Sequence, residues 1–374
     1  MRIGFLVTAA SLFVTISASP ASNKVFSGEL QRVTAESIAI RLTDGIIIEA
    51  RLAPGKGGIS PHTLGEQYTV GDQVQITCAP IPSDYYAPLG RSLVLEVKKF
   101  KFLREATPEE RTKALISKEW RQSPNLLKAS GTPPPAPSPL PANAGPDWPD
   151  RLQRIRSHIL QFIATLPNFV ADESVERYVS TPAAPNWKQV DTIKSEITVK
   201  GKGVSRDHIV FNDSPWNKAY RQLPGFKWTD GFGSQLAFLF DENCPTAFEP
   251  EGQITEGNKT LSVIRYSSPP DGCEFYWEEY QAFYPAKTGR ILLDEREENV
   301  IRLETNSEGF PEAFPMSASQ KQVSWDFVKI GDAVHLLPVS AEIKIVLSNG
   351  EMRLARNVYT NHRHFEAASN ITYH

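Results

Sequence analysis

The sequence predicts a mainly β protein built in two parts. Residues 25–103 and residues 169–359 consist of short runs that are rich in β-branched and aromatic residues or that alternate between apolar and polar positions. Such runs, cut by turn residues, are typical of antiparallel strands. Between the two parts, the segment GTPPPAPSPLPANAGPDW forms a proline-rich linker at residues 131–148, which we interpret as an extended spacer at a domain boundary.

The first residues have the pattern of a secretory signal peptide. Arg2 is a short basic region, residues 3–16 are apolar, and Ser19 and Ala21 are small residues suited to cleavage. We therefore predict that residues 1–21 are a signal peptide and that the protein is periplasmic or secreted. An uncleaved membrane anchor is the alternative, although the stretch is short for a span. No transmembrane span is expected after signal removal.

Residues 22–104 are predicted to form a small β-barrel. Thr43-Asp44-Gly45 is a hairpin turn, because Asp-Gly tolerates positive φ at low cost. The phrase YTVGDQV at residues 68–74 resembles small five-stranded barrels of the OB type, which often bind oligonucleotides or sugars. The net charge of −3 and the scarcity of aromatics suited to base stacking argue against nucleic acid. We expect a structural or protein-contacting barrel.

A helical extension is predicted at residues 105–130, before the linker. Thr107 can cap the helix, Pro108 suits its first turn, and Glu110 completes a capping box.

The remaining chain, residues 149–374, begins with an amphipathic helix at residues 150–166 and continues as strands. A second helix, short and apolar, is predicted at residues 234–240. The runs at residues 291–293 and 300–304 flank a charged turn and predict a hairpin. We expect the segment 275–283 to belong to the same sheet as these strands.

This second part resembles a known group. The segments GRILLDEREENVIRLE and FPEAFPMSASQKQVSWDFVKIGDAVHLLPVSAEI are similar to motifs of uncharacterised secreted bacterial proteins. That group in turn looks like the half-barrel of outer-membrane lipoprotein-sorting carriers. The resemblance implies an antiparallel half-barrel whose concavity holds the short helix. No catalytic residue is attached to these motifs.

A ligand cleft is the site that this resemblance and the aromatic strands point to. Leu236, Leu239 and Phe240 lie on the short helix, and Tyr276 and Tyr280 share one face of a later strand. If the helix fills the concavity, little room is left and the protein is a scaffold. If the helix is displaced, an apolar cleft opens that could take an acyl chain.

Two of the three cysteines are predicted to pair. Cys244 and Cys273 lie on either side of one strand-bearing segment of an exported chain, where disulfides persist. Cys78 is then left over, and its strand context predicts a small buried residue. Three free buried thiols are the alternative.

No motif in the sequence indicates a catalysed reaction. The segment GQITEGNKT at residues 252–260 departs from a phosphate loop, because Asn258 separates Gly257 from Lys259 and a strand follows. In an extended segment His362 and His364 lie on one face and could hold a metal with Glu366, but the helical HExxH spacing is absent and we expect these histidines to be exposed. We therefore predict no catalytic residue, no cofactor and no metal.

Three functions remain open at the level of sequence. The first is a noncatalytic envelope protein that binds a lipid, an acyl group or a lipoprotein in the half-barrel. The second is a scaffold or interaction module with a filled half-barrel and an envelope protein as its partner. The third is a hydrolase whose site the sequence does not reveal, although no convergent acid and base residues are visible.

Overall fold

The part of the chain that the structure describes is mainly β, with two sheets of seven and eleven strands. The computed structural model describes residues 23–34, 36–52, 64, 68–82, 93–111, 147–200, 203–227, 233–242, 244–278, 281–294, 296 and 298–365. The predicted signal peptide lies outside these residues, as do most of the helical extension and nearly all of the linker. Within the described part of the chain, no helix is both long and apolar enough to cross a bilayer.

The N-terminal strands close into a five-stranded barrel. They are β1 (Lys24–Val33), β2 (Ser37–Arg41), β3 (Ile47–Leu52), β4 (Gln73–Pro82) and β5 (Leu93–Arg104). Strands β1 to β3 pair in sequence, β4 pairs with both β1 and β5, and a parallel pairing of β3 with β5 closes the circle. Cys78 is buried in this barrel without a disulfide, as predicted, and burial raises the pKa of its thiol to about 12.

The helix predicted after the barrel begins as expected. Thr107 Oγ1 accepts a hydrogen bond from the backbone amide of Glu110 at 3.2 Å, and the Glu110 carboxylate accepts one from the amide of Thr107 at 2.9 Å. This reciprocal pair is the capping box that the sequence predicts.

The second sheet is antiparallel and has eleven strands, which is consistent with the predicted half-barrel. Its strands are β6 (Phe169–Thr181), β7 (Ala184–Lys200), β8 (Gly203–Phe211), β9 (Ser214–Pro215), β10 (Ala247–Glu256), β11 (Lys259–Ser268), β14 (Ala286–Asp294), β15 (Val300–Glu308), β16 (Met316–Ile330), β17 (Ala333–Leu347) and β18 (Met352–His364). Across the sheet they run in the order β10-β11-β14-β15-β16-β17-β18-β6-β7-β8-β9.

Two helices lie against one face of this sheet. Helix α1 (Trp148–Ala164) has proline in its first turn and buries Trp148, Ile155 and Ile159, whereas helix α2 (Ser234–Phe240) has only seven residues. Both helices contribute to one buried cluster with residues of the sheet. We call the sheet face that they contact the inner face; it carries Ala171, Ile197, Ile291, Leu303 and Val323.

The prediction that residues 275–283 belong to the same sheet as the strands after them is wrong. The segment Tyr276–Phe283 does not continue the eleven-stranded sheet, because strands β12 (Tyr276–Glu278) and β13 (Gln281–Phe283) form a hairpin that joins the barrel. There Gln281 and Ala282 pair with Ile48 and Ile47 of β3. The alternating pattern does identify strands, but it cannot tell which sheet edge they pair with.

The barrel covers the other end of the inner face. A single buried cluster unites barrel residues with residues of β6, β7 and β17 that lie on the same sheet face as the positions under the helices, further along the strands. From the barrel it includes Ile38, Ile40, Ile48, Val74 and Ile76, and from the sheet Val175, Ile193, Ile343 and Ile345. The two parts of the chain therefore share a core, while the limits of the predicted domains stay a prediction.

Candidate functional site

The predicted cleft residues fall into two places. Leu236, Leu239 and Phe240 on α2 are 1%, 3% and 0% exposed and lie in the buried cluster of the inner face. The Phe240 ring stacks on Phe248 with ring centroids 4.8 Å apart. Tyr276 lies instead in the hairpin that joins the barrel. Tyr280 is outside the described residues.

The surface under α1 and α2 is broad and apolar. It extends over strands on both sides of β18. Its members are Phe169, Ala171, Ile197, Val199, Ile264, Tyr266, Ile291, Leu293, Val300, Leu303, Val323, Trp325, Leu337, Ala341 and Tyr359. We call these residues the apolar floor.

Helix α2 has no side-chain cap at its N-terminal end, where Gly233 is the cap residue. Gln235 Nε2 donates a hydrogen bond to Thr305 Oγ1 at 2.7 Å, but Gln235 Oε1 has no hydrogen-bond partner within the described part of the chain. A seven-residue helix is unstable alone, so the position of α2 depends on the packing of its apolar side chains on the floor.

A buried charged group lies beside α2 at the end of the floor that faces the barrel. We call Glu274, Lys287 and Lys321 the lysine cluster. Lys321 Nζ donates to Glu274 Oε1 at 3.0 Å, and Lys287 Nζ lies 3.1 Å from Glu274 Oε2 while donating to the Glu274 carbonyl at 2.7 Å. The two ammonium nitrogens lie 5.0 and 5.7 Å from the centre of the Tyr276 ring. Tyr276 Oη lies 3.0 Å from Ser307 Oγ.

Burial and charge shift the pKa values of this cluster in opposite ways. Burial alone would raise the pKa of Glu274, but the two lysine charges outweigh it and lower that pKa to about 2. Burial lowers the pKa of Lys287 to about 8, although the Glu274 carboxylate opposes the shift. At neutral pH Glu274 is therefore ionised and most of Lys287 is protonated.

The acid stability of the protein should depend on Glu274. Its pKa is lower in the folded protein than in the unfolded chain, so its stabilising effect is complete above pH about 4.5 and is lost as the pH falls towards about 2. We expect Glu274→Gln to flatten this part of the curve of unfolding free energy against pH, measured by urea denaturation. Glu342→Gln, at an exposed glutamate, is the control and should keep the slope. An unchanged slope in Glu274→Gln would contradict the assignment.

The predicted disulfide is present next to this cluster. Cys244 follows α2 and bonds to Cys273, with Cα atoms 5.6 Å apart. The bridge therefore ties the residue before Glu274 to the segment that leaves α2. A cavity of about 10 Å³ lies between Leu239, the disulfide, Glu274 and Lys287, which is room for roughly one water molecule.

A second polar group is buried on the inner face across the sheet. Glu173 Oε2 accepts hydrogen bonds from Arg206 Nε at 2.6 Å and Ser195 Oγ at 2.8 Å, and its Oε1 accepts them from Arg206 Nη2 at 2.9 Å and Asn357 Nδ2 at 3.1 Å. Burial opposes the charge of Arg206, but Glu173 outweighs it and raises the Arg206 pKa. Each carboxylate oxygen of Glu173 thus accepts two hydrogen bonds, which is typical of a structural ion pair.

The histidines near the end of the chain are only partly as expected. His364 is exposed, but His362 is half-buried, and its ring nitrogen Nε2 lies 3.1 Å from the Pro338 carbonyl oxygen. Burial lowers the pKa of His362. In the residues that the structure describes, no three side chains of His, Cys, Asp or Glu are grouped to hold a metal ion.

The lysine cluster was missed at the level of sequence, although a signal exists. Lys287 shares its strand face with Gly289, Ile291 and Leu293, and Lys321 shares its face with Val323. A lysine in register with apolar core positions indicates a buried charge that needs a partner. The partner, Glu274, lies in no regular element, so the alternating pattern could not identify it.

Comparisons with known proteins return structures and no sequence relatives. No family model matches the chain, and no curated protein matches it. A LolA superfamily protein from Nitrosomonas europaea shares 9% identity over 58% of this chain and 94% of its own, with a TM-score of 0.29. A DUF1329 family protein from Desulfovibrio piger shares 8% over 59% and 95%, with a TM-score of 0.31. Lipoprotein LppX from Mycobacterium tuberculosis shares 12% over 55% and 93%, with a TM-score of 0.21. The lipoprotein-sorting group is thus among the matches. TM-scores this low do not support a function, so the function is argued from the residues of this chain.

Proposed function

We propose that this chain is an exported, noncatalytic envelope protein that binds the apolar chain of a lipid, an acyl group or a lipoprotein on its inner face. In this proposal α2 occupies the binding surface when no ligand is bound, and the ligand takes its place. The observation that carries it is the way α2 covers the apolar floor, with only seven residues and three buried side chains.

Replacement of α2 by an acyl chain on the apolar floor is energetically reasonable. Burying the side chains of Leu236, Leu239 and Phe240 contributes roughly 1.5–3 kcal/mol each, and an acyl chain gains about 0.8 kcal/mol for each buried methylene. A long acyl chain therefore offers a driving force comparable to or larger than that of the three side chains together.

The test compares two buried leucines. Leu236→Ala weakens the packing of α2 and raises the population of the open state, so the affinity for a fluorescent fatty acid should increase by about tenfold or more. Leu261→Ala removes an equally buried leucine that packs with Val263 and Leu292 in a separate cluster. Both variants should lose about 2–5 kcal/mol of stability, but Leu261→Ala should leave the affinity unchanged.

Two results would contradict the proposal. Equal gains in both variants would show that general destabilisation, and not release of α2, admits the probe. Failure of the wild type and of Leu236→Ala to bind any fatty acid would remove lipid binding altogether.

A filled scaffold is the second candidate, and one observation favours it. Barrel residues and both helices cover the inner face from its two ends, so the sheet is already packed by its own chain. In this case the barrel would contact an envelope protein. The absence of fatty-acid binding in the experiment above, with both variants folded, would favour this candidate.

A further inference from the structure

Helix α2 lies along one row of the inner face that crosses four neighbouring strands. The row consists of directly paired residues of β10, β11, β14 and β15, which are Phe248, Tyr266, Gly289 and Thr305. Phe240, at the end of α2, stacks on Phe248, and Gln235, near its start, reaches Thr305. A ligand that takes the place of α2 therefore meets an aromatic ring at one end of the row and a threonine at the other.

The tyrosine of this row reaches the threonine because the residue between them has no side chain. A Cβ atom on Gly289 would clash with the Glu304 carbonyl oxygen and with the Tyr266 ring, so the ring lies directly against the glycine backbone. In this position Tyr266 Oη lies 2.6 Å from Thr305 Oγ1 and donates to the Glu304 carbonyl at 3.2 Å. The sheet itself thus fixes the place of both hydroxyl groups.

The hydrogen bonds of this row run in one direction. A carbonyl oxygen can only accept, so the hydrogen of the Tyr266 hydroxyl goes to Glu304. Burial raises the pKa of Tyr266, so the hydroxyl keeps this hydrogen at neutral pH. The hydrogen in the contact between Tyr266 and Thr305 therefore comes from Thr305, and Thr305 Oγ1 is left as an acceptor. Gln235 Nε2 donates to this acceptor at 2.7 Å.

The row of hydrogen bonds is shielded from water and ends on the helix that the ligand replaces. Gln235 is 4% exposed, Thr305 2% and Tyr266 1%. A buried acceptor that loses its donor costs free energy, so the departure of α2 calls for a new donor at Thr305 Oγ1. The Gln235 amide is itself only half satisfied, because its Oε1 has no hydrogen-bond partner among the described residues. This unpaired oxygen favours the replacement of Gln235.

We propose that the ligand of the inner face carries an uncharged hydrogen-bond donor, an amide N–H or a hydroxyl, which takes the place of the Gln235 amide on Thr305 Oγ1. The inference rests on the proposed function, because the apolar chain of the ligand occupies the place of α2. Esters and ethers only accept hydrogen bonds, so they leave Thr305 Oγ1 unpaired and bind less tightly. Thr305 and Tyr266 together determine which class of lipid the inner face selects.

The experiment measures how four uncharged oleyl probes displace a fluorescent fatty acid from the full-length mature protein. N-methyloleamide and methyl oleate differ in an N–H group against an oxygen atom, and oleyl alcohol differs from oleyl methyl ether in its hydroxyl hydrogen. The affinity of the donor probe is divided by that of its partner within each pair, so a change in the population of displaced α2 cancels. The pair with the larger ratio identifies the preferred donor as an amide or a hydroxyl.

Substitutions of Thr305 assign the ratios to one atom. Thr305→Val keeps the branched shape of the side chain and removes the acceptor, so the ratios should fall by about fivefold or more from the wild type to this variant. The comparison between proteins also cancels the different cost of removing each probe from water. Thr305→Ser retains the hydroxyl and should retain the ratios. Thr288→Val, at an exposed threonine of β14, is the control and should behave as the wild type.

Tyr266→Phe tests the direction of the hydrogen bonds. Without the tyrosine oxygen, the hydrogen of Thr305 can be donated to the oxygen of an ester or an ether. Methyl oleate and oleyl methyl ether should therefore gain affinity relative to the donor probes, and the ratios should fall by about threefold or more. A purely structural role of Tyr266 would instead change the affinities of all four probes by the same factor.

The results that would overturn this inference differ from those that would overturn the proposed function. Failure of all four probes to bind would overturn both. Binding with the same ratios in the wild type and in Thr305→Val would overturn the donor site and leave the proposed function standing. Should Thr305→Val fail to fold, Tyr266→Phe decides the question, because unchanged ratios in that variant would equally overturn the donor site.

Discussion

Replacing Arg206 with methionine is expected to lower the free energy of unfolding by about 3–5 kcal/mol. The side chains of Arg206 and Glu173 are 4% and 0% exposed. Removal of the guanidinium leaves the Glu173 carboxylate buried, with Ser195 and Asn357 as its remaining donors among the described residues. Urea denaturation of the variant and the wild type measures the difference.

Two further variants test whether the unpaired, buried charge of Glu173 causes this loss of stability. Glu173→Gln combined with Arg206→Met leaves no unpaired charge, so the double variant should recover part of the loss. Arg356→Met breaks the exposed pair with Glu342, whose side chains are 53% and 47% exposed, and should cost less than about 1 kcal/mol. Similar losses for Arg206→Met and Arg356→Met would contradict the view that burial makes the Glu173–Arg206 pair important.

Removing the disulfide should have the second largest effect. Replacing Cys244 and Cys273 with serine opens a loop with a sequence separation of 29 residues, and in the chain-entropy model this costs about 3–4 kcal/mol. A thiol reductant should destabilise the wild type to the level of the variant and leave the variant itself unchanged. Cys78→Ala, which leaves the bridge intact, should keep its sensitivity to the reductant. A wild type whose unfolding is indifferent to reductant would contradict this prediction.

The fold was predictable wherever a short stretch of sequence has a periodicity or residue types that are typical of one structure. Alternating residues identified most of the strands, and helical spacing at residues 150–166 identified α1 within two residues of its observed bounds. The short apolar run at residues 234–240 matches α2. The Thr107–Glu110 capping box and the Cys244–Cys273 pair were also visible, because each depends on residues of characteristic chemistry.

The parts that were not predictable depend on contacts between distant segments. The hairpin from Tyr276 to Phe283 has the same pattern whichever sheet it joins, and its pairing with Ile47 and Ile48 follows from the open end of β3 and from aromatic packing around Phe283. The lysine cluster likewise requires Glu274 to reach two lysines that are separated by a strand. Such pairings are set by the tertiary fold, and spacing along the chain does not encode them.

Hydrogen exchange of α2 in the presence of a fatty acid tests the central claim most directly. If an acyl chain takes the place of α2 on the inner face, peptides covering Gln235–Phe240 should exchange faster when oleate is added, while peptides of β14 to β16 should stay protected. The increase should follow the oleate concentration with the same midpoint as binding. Binding of oleate that leaves the exchange of α2 unchanged, or slows it, would contradict the account.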